Sequence, residues 1–268
     1  MNYVHAALLG ALQGLTEFLP VSSTAHLLVA GRLLGFEDPG GAFTIMIQLG
    51  SILAIVWLYR ARFATLLRAL PHDAAARRFA VAIGAGLLPV LLLGAFGRAY
   101  VTAVLYGSAG TIAVALLVGG AVMLAVERMR LRPTIATAES TPAGRALGVG
   151  FCQALAVVPG VSRSGATIIG GMLMGMDRTA AAEFSFFLAV PTMAAAFGND
   201  LLHLEGGLAS PRVAEIAVGF VAAFFSSLAV VAPFLRFVRR AGFAPFAWYR
   251  IATGGLMLLA LWNGWSLN

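Results

Sequence analysis

The stretch QGLTEFLPVSSTAH, Gln13 to His26, sits inside an apolar region, residues 3–34, that would otherwise read as one membrane helix. Glu17, Pro20, Ser22, Ser23 and His26 interrupt it. Proline lacks a backbone donor and disfavours helix at the residue before it, so a short first helix should end by Leu19. Ser22 or Ser23 can cap a second helix. Two half-length helices around a polar turn make a re-entrant pair. At membrane depth such a turn survives only when buried in protein or lining a wet cavity. Residues 146–176 are interrupted in the same way, by Pro159, Gly160, Ser162, Arg163 and Ser164.

The composition agrees. Of 268 residues, 60% are hydrophobic and only 11% are charged, against about 25% in soluble domains. Mean hydropathy is +0.90. These values exclude a soluble enzyme, a secreted disulfide scaffold and a disordered chain. All 18 basic residues are arginine, and net charge is +7. In a polytopic protein that excess marks cytoplasmic loops, so no nucleic-acid partner is expected. The single Cys152 excludes an intrachain disulfide. Residues 2–19 lack the basic start of a cleavable signal.

A crossing needs roughly 20 apolar residues. Six stretches qualify: about 42–59, 79–97, 108–126, 181–201, 214–235 and 246–266. Pro191 should kink the fourth or mark a specialised backbone there. Six crossings and two re-entrant pairs put loops 60–78, 127–145 and 236–250 on one side. These carry Arg60, Arg62, Arg68, Arg77, Arg78, Arg128, Arg130, Arg132, Arg145, Arg236, Arg239, Arg240 and Arg250, and Arg178 joins them. Only Arg32, Arg98 and Arg212 fall opposite. The arginine-rich side is read as cytoplasmic, with both termini outside.

The two broken regions also match each other. LGALQGLTEFLPVSSTAHLL starts at Leu9, and VGFCQALAVVPGVSRSGATII at Val149. Each has a Gln (Gln13, Gln153), a Pro (Pro20, Pro159), a Ser-rich turn and a Phe-led crossing after it. The expected fold is an all-α polytopic membrane protein of two inverted-topology repeats. Each repeat has a re-entrant helix pair plus three transmembrane helices, giving six full crossings and ten helices. The first repeat is 1–132, a linker 133–143, and the second repeat 144–268. Inverted repeats place a site near the midplane, where broken helices converge.

Ionisable groups at that depth are functional by default. Gln13 and Glu17 are four apart, on one face of the first short helix. Ser23 and His26 share the first turn of the next. Ser22 and Thr24 flank them. Ser162, Arg163, Ser164 and Thr167 form the second turn, where Arg163 can clamp a phosphate with two parallel hydrogen bonds. Two helix N-termini and an arginine suit an oligophosphate. A carboxylate beside an anion calls for a cation between them, of the Mg²⁺ or Ca²⁺ type, held by Gln13 and Glu17. Gln153, Asp177 and Glu183 read as structural.

The segments Gln13–His26 and Pro159–Thr167 resemble the two signatures of the bacterial undecaprenyl-diphosphatase, or bacitracin-resistance, family. Gly170–Pro191 and Ile47–Ala54 resemble it too, so the likeness spans nearly the whole chain. It implies a membrane hydrolase of the bacterial inner membrane, converting undecaprenyl diphosphate to undecaprenyl phosphate and inorganic phosphate. That recycles the carrier for peptidoglycan synthesis and confers bacitracin resistance. It implies a site open to the extracytoplasmic face, with Glu17, Ser23, His26 and Arg163 catalytic. Ser22, Thr24, Ser162, Arg163, Ser164 and Thr167 would contact phosphate, and Gln13 and Glu17 a divalent cation. The partners are the polyprenyl diphosphate substrate and membrane lipids; a homodimer is left open. Ala25 departs from the family, which commonly has Gly there. The nucleophile is Ser23, with His26 managing the proton, or water activated by His26 or Glu17. A lipid-phosphate flippase or anion transporter is the alternative.

Overall fold

The computed structural model describes residues 2–38, 41–105, 109–129, 131–202 and 212–265. Among them are eleven α-helices and no strand. They are α1 (Tyr3–Glu17), α2 (Ser23–Leu33), α3 (Ala42–Leu58), α4 (Arg60–Ala69), α5 (Ala74–Leu105) and α6 (Ala109–Arg128). Then follow α7 (Ala143–Ala154), α8 (Arg163–Leu173), α9 (Arg178–Leu202), α10 (Val213–Ala241) and α11 (Ala244–Trp262). The helix beyond the expected ten is α4, in the loop expected at 60–78. Its ten residues, three of them arginine, lack the apolar run that a crossing needs.

By length and hydropathy, α5, α6, α9, α10 and α11 can each cross a bilayer. Helix α3 supplies a sixth crossing when taken with α4, from which it is bent by 68°. The interrupted regions are helix–turn–helix pairs, α1–α2 and α7–α8, as the prolines and serines require. Helix α9 continues through Pro191 without a break in its assignment, so that proline does not end the crossing.

The pairs are held by helices of the opposite half. Helix α1 packs on α10, and α7 on α5. A Cβ on Gly10 would collide with the Gly219 carbonyl, and one on Gly150 with the Gly86 carbonyl. Small residues thus let the backbones approach, the usual basis of packing in lipid, where apolar burial gives little drive. The turns share a geometry offset by 140 residues. Ser22 and Ser162, both helix caps, adopt φ of 70° and 71°. Each pair then closes alike: Phe36 N–H donates to Gly31 at 2.8 Å, and Met176 N–H to Gly171 at 2.9 Å. Gly35 and Gly175 supply the positive φ there, the usual residue for that helix ending.

One end of the bundle gathers the arginine-rich segments. Arg62 pairs with Glu139 of the linker and with Glu183 of α9, the latter at 2.8 Å. Arg178 pairs with Glu127 of α6 at 2.6 Å, and Glu127 also accepts from Phe243 N–H at the start of α11. The linker docks here through Ile135, which accepts from Asp177 N–H. At the other end Arg212 donates to the Glu37 carbonyl at 3.0 Å. Arg130 lies outside the described residues. Arg250 is not a loop residue: it is 1% exposed, inside α11, and faces the two turns.

An aromatic cluster lies against the turns on the arginine-rich side. Phe18 meets Phe186 edge to face at 5.6 Å, and Tyr59, Phe79 and Phe187 continue the packing. Such pairs add about 0.5–1.5 kcal/mol each beyond area burial.

Candidate active site

The end of α1, the start of α2 and the start of α8 meet at Glu17. Its Oε2 accepts from Gln13 Nε2 at 2.8 Å, one helical turn earlier, and from Ser23 Oγ at 2.8 Å across the Pro20 break. Its Oε1 accepts from Arg163 Nη2 at 3.3 Å, from the other half of the chain. Glu17 is 8% exposed. A carboxylate so enclosed needs partners for its charge, and here three donors from three helices supply them.

Arg163 is the first residue of α8. Ser162 places it there: the Ser162 side chain accepts from Gly165 N–H at 3.1 Å and caps the helix. Holding a non-glycine residue at such φ costs on the order of 1–3 kcal/mol, an expense concentrated at functional sites. Arg163 also donates weakly to the Ser185 carbonyl at 3.4 Å, while its Nε is buried without a partner. The guanidinium is therefore anchored on one side and incompletely satisfied.

His26 is turned differently from the sequence expectation. Its Nδ1 lies 2.7 Å from the Ser22 carbonyl, and its Nε2 lies 2.6 Å from the Tyr249 hydroxyl. A carbonyl only accepts, so Nδ1 carries the proton and Nε2 accepts from Tyr249. The His26 and Tyr249 rings are stacked, 5° from parallel. Ser23 therefore has Glu17, and not His26, as its hydrogen-bond partner.

The remaining phosphate candidates divide. Ser164 Oγ donates to the Leu19 carbonyl at 2.8 Å, which staples the second turn to the first. Thr167 Oγ1 is fully buried among Arg163 O, Ser164 O and Ser185 Oγ. Both hydroxyls serve the frame of the site. Thr24 is exposed beside Ser23, Ser22 is buried in the turn, and Ser162 is half-buried at the α8 cap. Gln13 Oε1 is a buried acceptor with no partner. Among the described residues no cluster of three His, Cys, Asp or Glu side chains stands ready for a metal.

Gln153, Asp177 and Glu183 have structural partners. Gln153 bonds Thr192 at 3.2 Å, Asp177 caps α9 through Ala180 N–H at 2.7 Å, and Glu183 holds Arg62. Sequence reasoning missed Tyr249, Arg250 and Ser185. The dipeptide Tyr249-Arg250 stands only a few residues into the last crossing, and an arginine that far inside an apolar helix was the available signal.

A cavity of about 650 Å³ opens beside α8. Val114, Val118 and Val122 of α6 form one wall, Leu155 and Leu173 another, and Gly165 and Arg250 its inner end. Cys152 lies on this wall.

Comparison with known proteins gives a consistent picture. Residues 6–256 match the family described as "Bacitracin resistance protein BacA". The chain is 50% identical over 260 residues to "Undecaprenyl-diphosphatase 1" of Agrobacterium fabrum, covering 97% of each. It is 49% identical to "Undecaprenyl-diphosphatase" of Cereibacter sphaeroides, again over 97% of each. It is 48% identical to the protein so named in Paracoccus denitrificans, over 98% of this chain and 99% of that one.

Proposed function

Because the chain belongs to the bacitracin resistance protein BacA family, we propose that it is an undecaprenyl-diphosphate phosphatase. It is a multi-pass membrane hydrolase that releases inorganic phosphate from undecaprenyl diphosphate and returns undecaprenyl phosphate for peptidoglycan synthesis. The observation that carries the reading is the convergence on Glu17 of Ser23 and Arg163, a nucleophile and a phosphate clamp from separate halves of the chain.

The geometry supports the following chemistry. The diphosphate displaces Glu17 from part of the Arg163 fork, and Arg163, Ser162 and Thr24 hold its oxygens. Ser23 Oγ forms a bond to the terminal phosphorus as the bridging P–O bond breaks, and undecaprenyl phosphate leaves. Glu17, 2.8 Å away, takes the Ser23 proton. Water then attacks the phosphoserine with His26 Nε2 accepting its proton, the P–O bond to Ser23 breaks, and protonated Glu17 returns its proton to Ser23 Oγ, releasing phosphate and restoring the hydroxyl. Catalysis is positioning plus charge neutralisation, as for phosphoryl transfer generally.

Gln13 Oε1 and the Glu17 carboxylate fit a hard divalent cation, since the first is a buried acceptor without a partner and such ions take oxygen donors. Bound there, Mg²⁺ or Ca²⁺ would neutralise phosphoryl charge. The apolar cavity between α6 and α8, which begins beside the α8 cap, suits the polyprenyl tail. The two matched turns support the inverted-repeat reading, and the arginine-rich end is the cytoplasmic one, in the inner membrane. Termini and site then face outward. The test is phosphate release by purified protein in detergent, with and without chelator. A flippase or transporter releases none, because detergent has no sides.

A further inference from the structure

Arg250 is a buried cation that makes no ion pair among the described residues. Its guanidinium donates only to main-chain carbonyls: Nη1 to Pro20 at 3.2 Å, and Nη2 to Gly160 and Ala115 at 3.1 Å each. Nε is buried without a partner. Pro20 and Gly160 occupy equivalent places in the two turns, at the same offset as Ser22 and Ser162. One side chain on α11 therefore holds both re-entrant turns by matching atoms.

The surroundings are shaped for it. A Cβ on Gly119 would overlap Nη2, and one on Gly165 would press on Nη1 at 3.3 Å. Removing a charge from water costs several kcal/mol, and carbonyl dipoles offset only part of that. Packing alone thus gives no reason for an arginine here. Glu17 and Arg163 balance each other, so Arg250 leaves the site with one excess positive charge.

We propose that Arg250 is a positioning residue for the phosphatase reaction. It ties the two turns together, so that Ser23 and Arg163, each the first residue of its helix, face one diphosphate, and its excess charge attracts that anion. The proposal rests on the phosphatase reading. It separates two contributions, the fork that sets geometry and the charge that favours the anion.

Purified full-length wild type, Arg250→Met, Arg250→Lys and Gly119→Ala would be compared. The readouts are kcat and KM for undecaprenyl diphosphate, inhibition by methylenediphosphonate, and melting temperature in detergent. Arg250→Met is expected to melt somewhat lower than wild type, because the Pro20 and Gly160 carbonyls lose their donor, and to lose about 100-fold in kcat, the scale of a 1 Å misplacement. Its inhibition by methylenediphosphonate should weaken about tenfold, or about 1.4 kcal/mol. Arg250→Lys should keep that inhibition within about threefold yet recover little kcat, because an ammonium does not span two carbonyls. Gly119→Ala keeps the charge and displaces the fork, so kcat falls while inhibition holds; it also carries the test if Arg250→Met does not fold. Wild-type kcat in Arg250→Met or Gly119→Ala overturns the positioning role. Equal inhibition of the Met and Lys variants overturns the charge role. A wild type that releases no phosphate while still binding methylenediphosphonate, more weakly after Arg250→Met, overturns the phosphatase reading and leaves the anion role standing.

Discussion

Ser23 donates its hydroxyl proton to Glu17 at 2.8 Å, although six positions and a proline separate them in the chain. The contact exists because the turn reverses the chain after α1 and brings the first residue of α2 back over the end of α1. It puts the carboxylate where it can accept the serine proton and leaves His26 bonded to the Ser22 carbonyl and Tyr249 instead.

Glu17→Gln keeps the shape and the Gln13 contact but removes the proposed base. A fall in kcat of about 10²- to 10⁴-fold is expected, the usual worth of general base catalysis. Ser23→Ala should be at least as severe. Stopped-flow quench with labelled substrate checks the order of events: phosphoserine should be trapped in wild type and absent from Ser23→Ala. Near-normal turnover by Ser23→Ala would instead support direct attack by water.

Tyr249→Phe removes the donor to His26 Nε2 and leaves the ring stack in place. A neutral hydrogen bond contributes about 0.5–1.5 kcal/mol, so kcat should fall about two- to tenfold with KM unchanged. Steady-state kinetics resolve this. An altered KM with normal kcat would mean that Tyr249 contacts the lipid.

Arg163→Ala leaves Glu17 buried without its cation and removes the phosphate clamp. KM should rise and kcat fall together, by a combined factor of about 10² or more in kcat/KM. In Glu17→Gln the carboxylate is already gone, so adding Arg163→Ala should cost less than the separate losses imply. A double-mutant cycle on kcat/KM measures that coupling.

Cys152 is the only cysteine and lies on the apolar cavity beside α8. Undecaprenyl diphosphate should slow its reaction with a lipid-soluble maleimide, and farnesyl diphosphate should slow it less. Val118→Trp should raise KM for the long substrate by about tenfold and spare the short one. Equal labelling with and without the long substrate would place the tail elsewhere.

Ala25→Gly tests the residue at which the chain departs from the common family pattern. Ala25 belongs to one buried apolar cluster with Ile112 and Leu116 of α6 and Met257 of α11. The variant should lose about 1 kcal/mol of stability and keep its activity, as read by melting temperature and phosphate release.

Much of this was legible in the chain. Pro20 and Pro159 forced the breaks, and the scarcity of charge made Glu17 and Arg163 stand out in apolar surroundings. The five long apolar helices and the bent α3–α4 pair followed from length and hydropathy, and the ion pairs of Arg62 and Arg178 unite the very loops that the arginine count grouped. Other features were not legible. Loop arginines were counted by position, so Arg250 was grouped with Arg239 and Arg240, and only packing against Gly119 reveals its burial. Ser164 and Thr167 look like phosphate donors in a serine-rich turn, yet Leu19 and Ser185 engage them.

The amino-acid sequence by itself determined where helices break, which are long and apolar enough to cross a bilayer and which few polar groups lie in apolar surroundings. Those are local matters: proline geometry, the length of apolar runs and the expense of charge in lipid. Tertiary structure decided which of those groups meet. Glu17 with Arg163, His26 with Tyr249, and Arg250 with both turns are pairings between distant segments. They depend on how close two backbones can come, and that is set by glycines facing each other across helices that no single segment specifies.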